Sequence, residues 1–177
     1  MRKTVTALAM LGALLGSMAS LPASAGNRVT CTIVGTRQND RLIGTSGRDV
    51  ICGRGGNDFI KGRRGNDILF GQAGRDVIIS GPGRDHASGG SGADVTDGNG
   101  GADDLLGNGG PDFLRGFGGR DRLFGGNGND CLYTVDNVDG NDFANGQDGA
   151  ADRYEIDTGP PPDTVVNAEV EGFCAGD

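Results

Sequence analysis

The 177-residue sequence has no Trp, two Tyr, one His and three Met. Leu, Ile, Val and Phe together make up about 21% of it, close to the level at which a charged chain stops burying a core. A large conventional core is therefore excluded. The single His excludes catalysis built on His clusters and multi-His metal sites. Glu is scarce as well, since 21 of the 24 acidic residues are Asp. The net charge of −8 argues against a nucleic-acid partner gripped through its phosphates. Beyond the N-terminus no apolar run approaches the length needed to span a bilayer, so no transmembrane segment is expected. What is abundant is Gly, 36 residues, several times its usual share. A chain of Gly and Asp is either a coil or a repeat built on turns and cations.

Residues 1–25 read as a Sec-type signal peptide. Arg2 and Lys3 are a basic start, Val5 to Met18 is mostly apolar, and Ala23-Ser24-Ala25 is an Ala-x-Ala cleavage pattern. The run is too short, and too soon followed by small residues, for an anchor. Cleavage would remove Arg2 and Lys3 and take the formal charge from −8 to −10. The protein is expected to be secreted. Its four Cys (Cys31, Cys52, Cys131 and Cys174) then suggest two disulfides. Three connectivities are possible. Cys31–Cys52 and Cys131–Cys174 are favoured because they bracket the Gly-rich region. No C-x-x-C spacing supports a thiolate metal site.

The chain divides without a gap into eleven nonapeptides from Gly35 to Tyr133, among them GRGGNDFIK (53–61), GRRGNDILF (62–70) and GNGGPDFLR (107–115). Position 1 is Gly except at Ser80, and position 4 is Gly except at Gln38. Position 6 is Asp in every unit: Asp40, Asp49, Asp58, Asp67, Asp76, Asp85, Asp94, Asp103, Asp112, Asp121 and Asp130. Position 8 is Leu or Ile except at Ala87 and Thr96. Gly at positions 1 and 4 suggests a turn with positive φ that aims carbonyl oxygens inward. Asp closes that turn with a short carboxylate. Carbonyl and carboxylate oxygens together suit a hard cation. The alternating x-U-x ending suggests a three-residue strand after a six-residue turn.

This pattern resembles the RTX, or haemolysin-type, calcium-binding nonapeptide G-G-x-G-x-D-x-U-x. With its leader and paired Cys, the chain also looks like small secreted actinobacterial members of that family. The resemblance implies an all-β fold, a right-handed parallel β-roll with two nonapeptides per coil. It implies Ca²⁺ between turns 18 residues apart, with the eleven position-6 Asp as the metal residues. One edge would carry Asp40, Asp58, Asp76, Asp94, Asp112 and Asp130, and the other Asp49, Asp67, Asp85, Asp103 and Asp121. Nine sites is then the ceiling, on a rod of roughly 26 Å at the usual strand spacing. Like charges packed in the turns, together with the large ordering cost, predict a chain that is largely unfolded until calcium binds.

The expected organisation is a leader (1–25), an N-terminal cap (26–34), the roll (35–133) and degenerate repeats with a C-terminal cap (134–177). The core is expected to be loosest across units 80–97, and the first unit weakest because Gln38 replaces Gly. Arg48, Arg75, Arg84 and Arg120 at position 5 are expected to pair with neighbouring Asp or to balance surface charge. Phe59, Val77 and Ile79 on one sheet, and Val50, Ile68 and Phe70 on the other, are outward positions that could serve a protein partner. His86 also points outward, with no nucleophile set beside it. Leader and repeats leave only two short caps, so no enzyme is expected. The roll as the accessory of a hydrolase or toxin is the less favoured alternative, as are a disordered spacer and a metal-free solenoid. The Sec-type leader departs from the family's usual C-terminal type I export signal.

Overall fold

A computed structural model describes residues 29–135, 142–148, 152–155, 163–167 and 170–171. The proposed leader and Cys174 lie outside the described residues. The chain divides into two units, Met1–Thr30 and Cys31–Asp177, and the second holds the strands.

That unit is an all-β parallel solenoid, without a helix among the described residues. Successive strands alternate between two eight-stranded sheets. One holds, in order, β1 (Ile33–Val34), β3 (Val50–Gly55), β5 (Ile68–Ala73), β7 (His86–Ser91), β9 (Asp104–Gly109), β11 (Arg122–Asn127), β13 (Phe143–Asp148) and β15 (Thr164–Val166). The other holds β2 (Arg41–Ile43), β4 (Phe59–Lys61), β6 (Val77–Pro82), β8 (Val95–Gly101), β10 (Phe113–Gly119), β12 (Cys131–Tyr133), β14 (Arg153–Glu155) and β16 (Val170–Glu171). All pairings are parallel, and within the regular repeat the partner lies 18 residues away, as in Ile51↔Leu69 and Ile60↔Ile78. Two nonapeptides therefore make one coil.

The register stacks position 8 into two facing ladders. Ile51, Leu69, Ala87, Leu105, Leu123 and Ala144 form one, and Ile60, Ile78, Thr96, Leu114 and Leu132 the other, all fully buried. Leu42, at the N-terminal end, is only partly buried. Ala87 and Thr96, at the expected loose place, are fully enclosed.

Two details differ from the expected unit. Strands in the middle of the solenoid run from position 7 through position 3 of the next unit, as in β5 (Ile68–Ala73) and β6 (Val77–Pro82). The turn proper is three residues, such as Gly74-Arg75-Asp76. Positive φ falls at positions 2 and 4, not 1 and 4: Arg54 is at +81° and Gly56 at +100°. Position 1 needs Gly for another reason. A Cβ on Gly71 would lie on top of Asp76 Oδ2 and the Gly89 carbonyl oxygen.

The solenoid also outruns the regular repeat. Before it, β1 pairs with β3, and the Cys31–Cys52 disulfide joins the same two segments with Cα atoms 5.9 Å apart. Cys31 stands where the other units have Asp. Val50, expected outward, is buried in this tied coil. After the repeat, β13 (Phe143–Asp148), β14 (Arg153–Glu155), β15 (Thr164–Val166) and β16 (Val170–Glu171) continue both sheets.

Candidate metal centre: two columns of turn aspartates

The eleven position-6 aspartates fall on the two edges as expected, and a hydrogen-bond ladder runs up each. The backbone N–H of Asp58 donates to Oδ1 of Asp76 at 2.8 Å, Asp76 to Asp94 at 2.7 Å, and Asp94 to Asp112 at 2.8 Å. On the other edge Asp67 donates to Asp85 at 2.7 Å and Asp85 to Asp103 at 2.8 Å. Each backbone carbonyl in the column is used too, as when Asp58 O accepts from Val77 N at 2.8 Å. From Asp58 to Asp130 these carboxylates are buried, between 0% and 2% exposed.

One atom per Asp remains. Oδ2 of Asp58, Asp67, Asp76, Asp85, Asp94, Asp103, Asp112 and Asp130 is buried with no hydrogen-bond partner. A buried carboxylate oxygen left without a donor costs several kcal/mol if it stays charged, on the order of 1–3 even for a neutral group. Eight in two files are not a packing accident. Those of Asp58, Asp67, Asp76, Asp103 and Asp112 lie over the first Gly of their own unit beside a carbonyl oxygen of the next coil, as Asp58 Oδ2 and Gly71 O do at Gly53, and those of Asp94 and Asp130 also lie over the first Gly of theirs. Carbonyls at positions 2 and 4 are stacked in the same way, with Gly74 over Gly56 O and Gly90 over Gln72 O. The space a Cβ would fill is thus a cradle of oxygens.

Burial drives the electrostatics. It pushes Asp85 and Asp112 up to about 7, and Asp76, Asp103 and Asp130 up to about 6. Asp58, Asp67 and Asp94 are also raised by burial. The hydrogen bond from the Asp below opposes the shift everywhere in the column, and repulsion from flanking carboxylates adds a smaller push at Asp76, Asp85 and Asp112. Desolvation is thus the larger cause, and repulsion between stacked charges adds to it.

The first two units differ from the rest. Asp40 Oδ2 accepts from Thr36 N at 2.5 Å and Thr36 Oγ1 at 2.9 Å, and Asp49 Oδ2 from Thr45 N at 2.6 Å and Thr45 Oγ1 at 2.9 Å. A Thr at position 2 satisfies the oxygen that stays bare further up. The first coil is special for this reason as well as for Gln38.

Three aspartates that the nonapeptide phase did not single out as metal residues join the columns. Asp142 Oδ1 accepts from Asp121 N at 2.8 Å, Asp152 Oδ1 from Asp130 N at 2.9 Å, and Asp163 Oδ1 from Asp142 N at 3.2 Å. Their spacings of 21 and 22 residues hide them from a nine-residue frame. Gly146 repeats the cradle, with Asp152 Oδ2 and Asn167 O where its Cβ would be.

Among the described residues no three His, Cys, Asp or Glu side chains converge on one point. A cation between turns would therefore take most of its ligands from backbone carbonyls. An all-oxygen set with bare carboxylates fits a hard, flexible-coordination ion such as Ca²⁺.

The RTX calcium-binding nonapeptide repeat (4 copies) family matches residues 32–60, 61–96 and 97–130. The chain belongs to that RTX family. No curated protein matches it. The RTX match stops at Asp130, although both columns go on to Asp152 and Asp163.

Among the described residues the position-5 Arg residues form no ion pair, which leaves the surface-charge alternative. Position 5 carries its own ladder, in which Asn57 Oδ1 accepts from Arg75 N at 2.9 Å and Asn66 Oδ1 from Arg84 N at 3.0 Å. The ion pairs are Arg115–Asp97 at 2.6 Å, on position 9, and Arg122–Asp104, on position 7. His86 packs edge-on against Phe70, with ring centroids 6.2 Å apart.

Proposed function

We propose that this chain is a secreted, non-catalytic calcium-binding protein whose β-roll folds when Ca²⁺ enters between stacked turns. The observation that carries it is the double file of buried Asp Oδ2 atoms without a donor. Bound calcium would neutralise those carboxylates. The chain holds Oδ1 on the amide of the turn below, so that Oδ2 lies near the position-1 carbonyl of the next coil, as Asp76 Oδ2 and Gly89 O do at Gly71. Asp58, Asp67, Asp76, Asp85, Asp94, Asp103, Asp112, Asp121 and Asp130 would supply the carboxylates. Asp40 and Asp49, tied to Thr36 and Thr45, would contribute less. Up to nine ions in the regular repeat is our reading, with affinities on the order of 10⁻⁴–10⁻³ M, as for extracellular modules. Secretion rests on the leader-like residues 1–25, and a role without catalysis on the family.

The test is a calcium titration of chelator-treated protein followed by far-UV circular dichroism. A cooperative gain of β-signal that magnesium does not reproduce is expected. A chain fully structured in chelator at neutral pH, or a coil at every calcium concentration, would overturn the reading.

A further inference from the structure

The outer surface is charged very unevenly along the solenoid. Residues 35–88 carry nine basic side chains, from Arg37 to Arg84, all exposed. The same stretch has six acidic residues, and every one is a turn Asp inside the columns. None of the nine cations makes an ion pair among the described residues. By contrast, the sequence of residues 134–177 has eleven acidic residues against Arg153 alone, of which Asp142, Asp152 and Asp163 belong to the columns. With the turn carboxylates taken up by calcium, the N-terminal coils show solvent one sign of charge.

Part of that surface is shaped. Arg37, Arg54 and Gln72 border an open groove of about 710 Å³ floored by Gly55, Ala73 and Gly74. The groove lies at the end of one sheet, where position 2 is in register from coil to coil. That register runs Arg54↔Gln72↔Gly90↔Asn108↔Gly126↔Gln147. At about 4.8 Å per strand the row spans roughly 24 Å. Every residue of this row has left-handed backbone, which Gly90 and Gly126 meet without cost. Arg54, Gln72, Asn108 and Gln147 hold the same conformation at φ +81°, +81°, +78° and +69°. Long polar side chains have been kept where the backbone favours Gly.

We propose that this row is a binding furrow for an acidic polysaccharide. Gln and Asn amides donate to and accept from hydroxyls, and the exposed guanidinium groups of Arg37 and Arg54 pair with carboxylates. A nucleic acid fits less well, because the row offers no aromatic ring on which a base could stack. The furrow needs the folded roll but no particular number of bound ions.

The experiment uses the full chain at a fixed free calcium concentration in native gels containing carboxymethyl dextran, unmodified dextran or duplex DNA. Retardation should be strongest with carboxymethyl dextran. Arg37→Gln/Arg54→Gln should weaken it about tenfold, the loss of two modest charge-assisted contacts. The charge-matched pair Arg120→Gln/Arg153→Gln should change it less than about twofold, as exposed charges outside the furrow. Arg37→Lys/Arg54→Lys keeps the charge and should recover part of the binding. Circular dichroism of each variant in calcium separates the readings: a wild-type chain that does not fold defeats the proposed function, whereas a folded one that is not retarded defeats only the furrow. Equal losses in the two Gln pairs, or DNA binding as tight as carboxymethyl dextran, would also overturn it.

Discussion

Asp152 Oδ1 accepts a 2.9 Å hydrogen bond from the backbone N–H of Asp130, across 22 residues where the regular repeat uses 18. Asp152 is fully buried, and its Oδ2 is as bare as those of the repeat. Asp152→Asn keeps the Oδ1 acceptor and removes the charge. The folded β-signal in calcium should persist, and the number of ions bound at saturation should fall by about one. Equilibrium dialysis against radioactive calcium counts them. An unchanged stoichiometry would mean that the metal columns end with the family's repeat at Asp130.

The proton-binding behaviour of the columns has a definite sign. Asp76, Asp85, Asp103, Asp112 and Asp130 rise from 3.8 to about 6 or 7 in the folded chain because burial disfavours the carboxylate. Between about pH 4 and pH 7 the folded state thus holds more protons than the unfolded one, and folding weakens as pH rises through that window. Asp104, lowered by its hydrogen bond to Arg122, acts the other way but is one group. In chelator the β-signal should be greatest near pH 4–5 and fall towards pH 7.5. Calcium should show the converse as a gain of signal: the rise in β-signal on adding calcium should be small near pH 4.5, where the metal-free chain is already folded, and large at pH 7.5. A metal-free chain whose melting temperature climbs from pH 4.5 to pH 7.5 would contradict the account.

Much of this was legible in the residues alone. The nine-residue phase named the turn Asp residues, and the resemblance to the RTX family, with two units per coil, assigned them to the two edges. The Cys31–Cys52 bridge was expected because the Cys pairs bracket the Gly-rich region, and it is present. The role of Gly at position 1 was not legible. Steric exclusion by Asp Oδ2 and a carbonyl from another coil is a three-dimensional fact, and φ freedom was the wrong explanation. Asp142, Asp152 and Asp163 escaped as ladder members because insertions in the turns break the phase without disturbing the strands. Counting back from each to the Asp two units earlier is the signal that finds them.

Positions 1 and 2 should respond oppositely to substitution. Gly71→Ala puts a methyl group against Asp76 Oδ2 and Gly89 O, both fixed in the ladder. It should cost at least about 2 kcal/mol and raise the calcium needed for folding. Gln72→Gly relieves a left-handed φ of +81° and should leave stability within about 1 kcal/mol of wild type. Denaturant unfolding in saturating calcium compares them. If Gln72→Gly is the more damaging, side-chain contacts at position 2 hold the solenoid together.

The Cys31–Cys52 bridge closes a loop across 21 residues and ties β1 to β3. Replacing both Cys with Ser should lower stability by about 3 kcal/mol. The loss should be local. Hydrogen exchange should rise at Ile33, Val34 and Arg41–Ile43 and stay slow from Leu69 onward, since each coil contacts only its neighbours. Uniform loss of protection along the solenoid would show that folding starts at the bridge.

Thr96 occupies a core position between Ile78 and Leu114 on neighbouring strands. It is fully buried, and its Oγ1 has no hydrogen-bond partner. Thr and Val have nearly the same shape, so Thr96→Val should remove an orphaned hydroxyl without opening a cavity. A gain of about 1 kcal/mol is expected, read as a higher melting temperature in saturating calcium. The ion count should not change, because position 8 points away from the turns. Ser80 is the control: its Oγ is equally buried and bare, but it sits at position 1 beside the metal columns. Ser80→Gly, which restores the repeat's own residue there, should lower the calcium midpoint as well as raise stability. If Thr96→Val destabilises the protein instead, the hydroxyl has a ligand in the folded chain, and the middle of the core is not the dry ladder that its other members form.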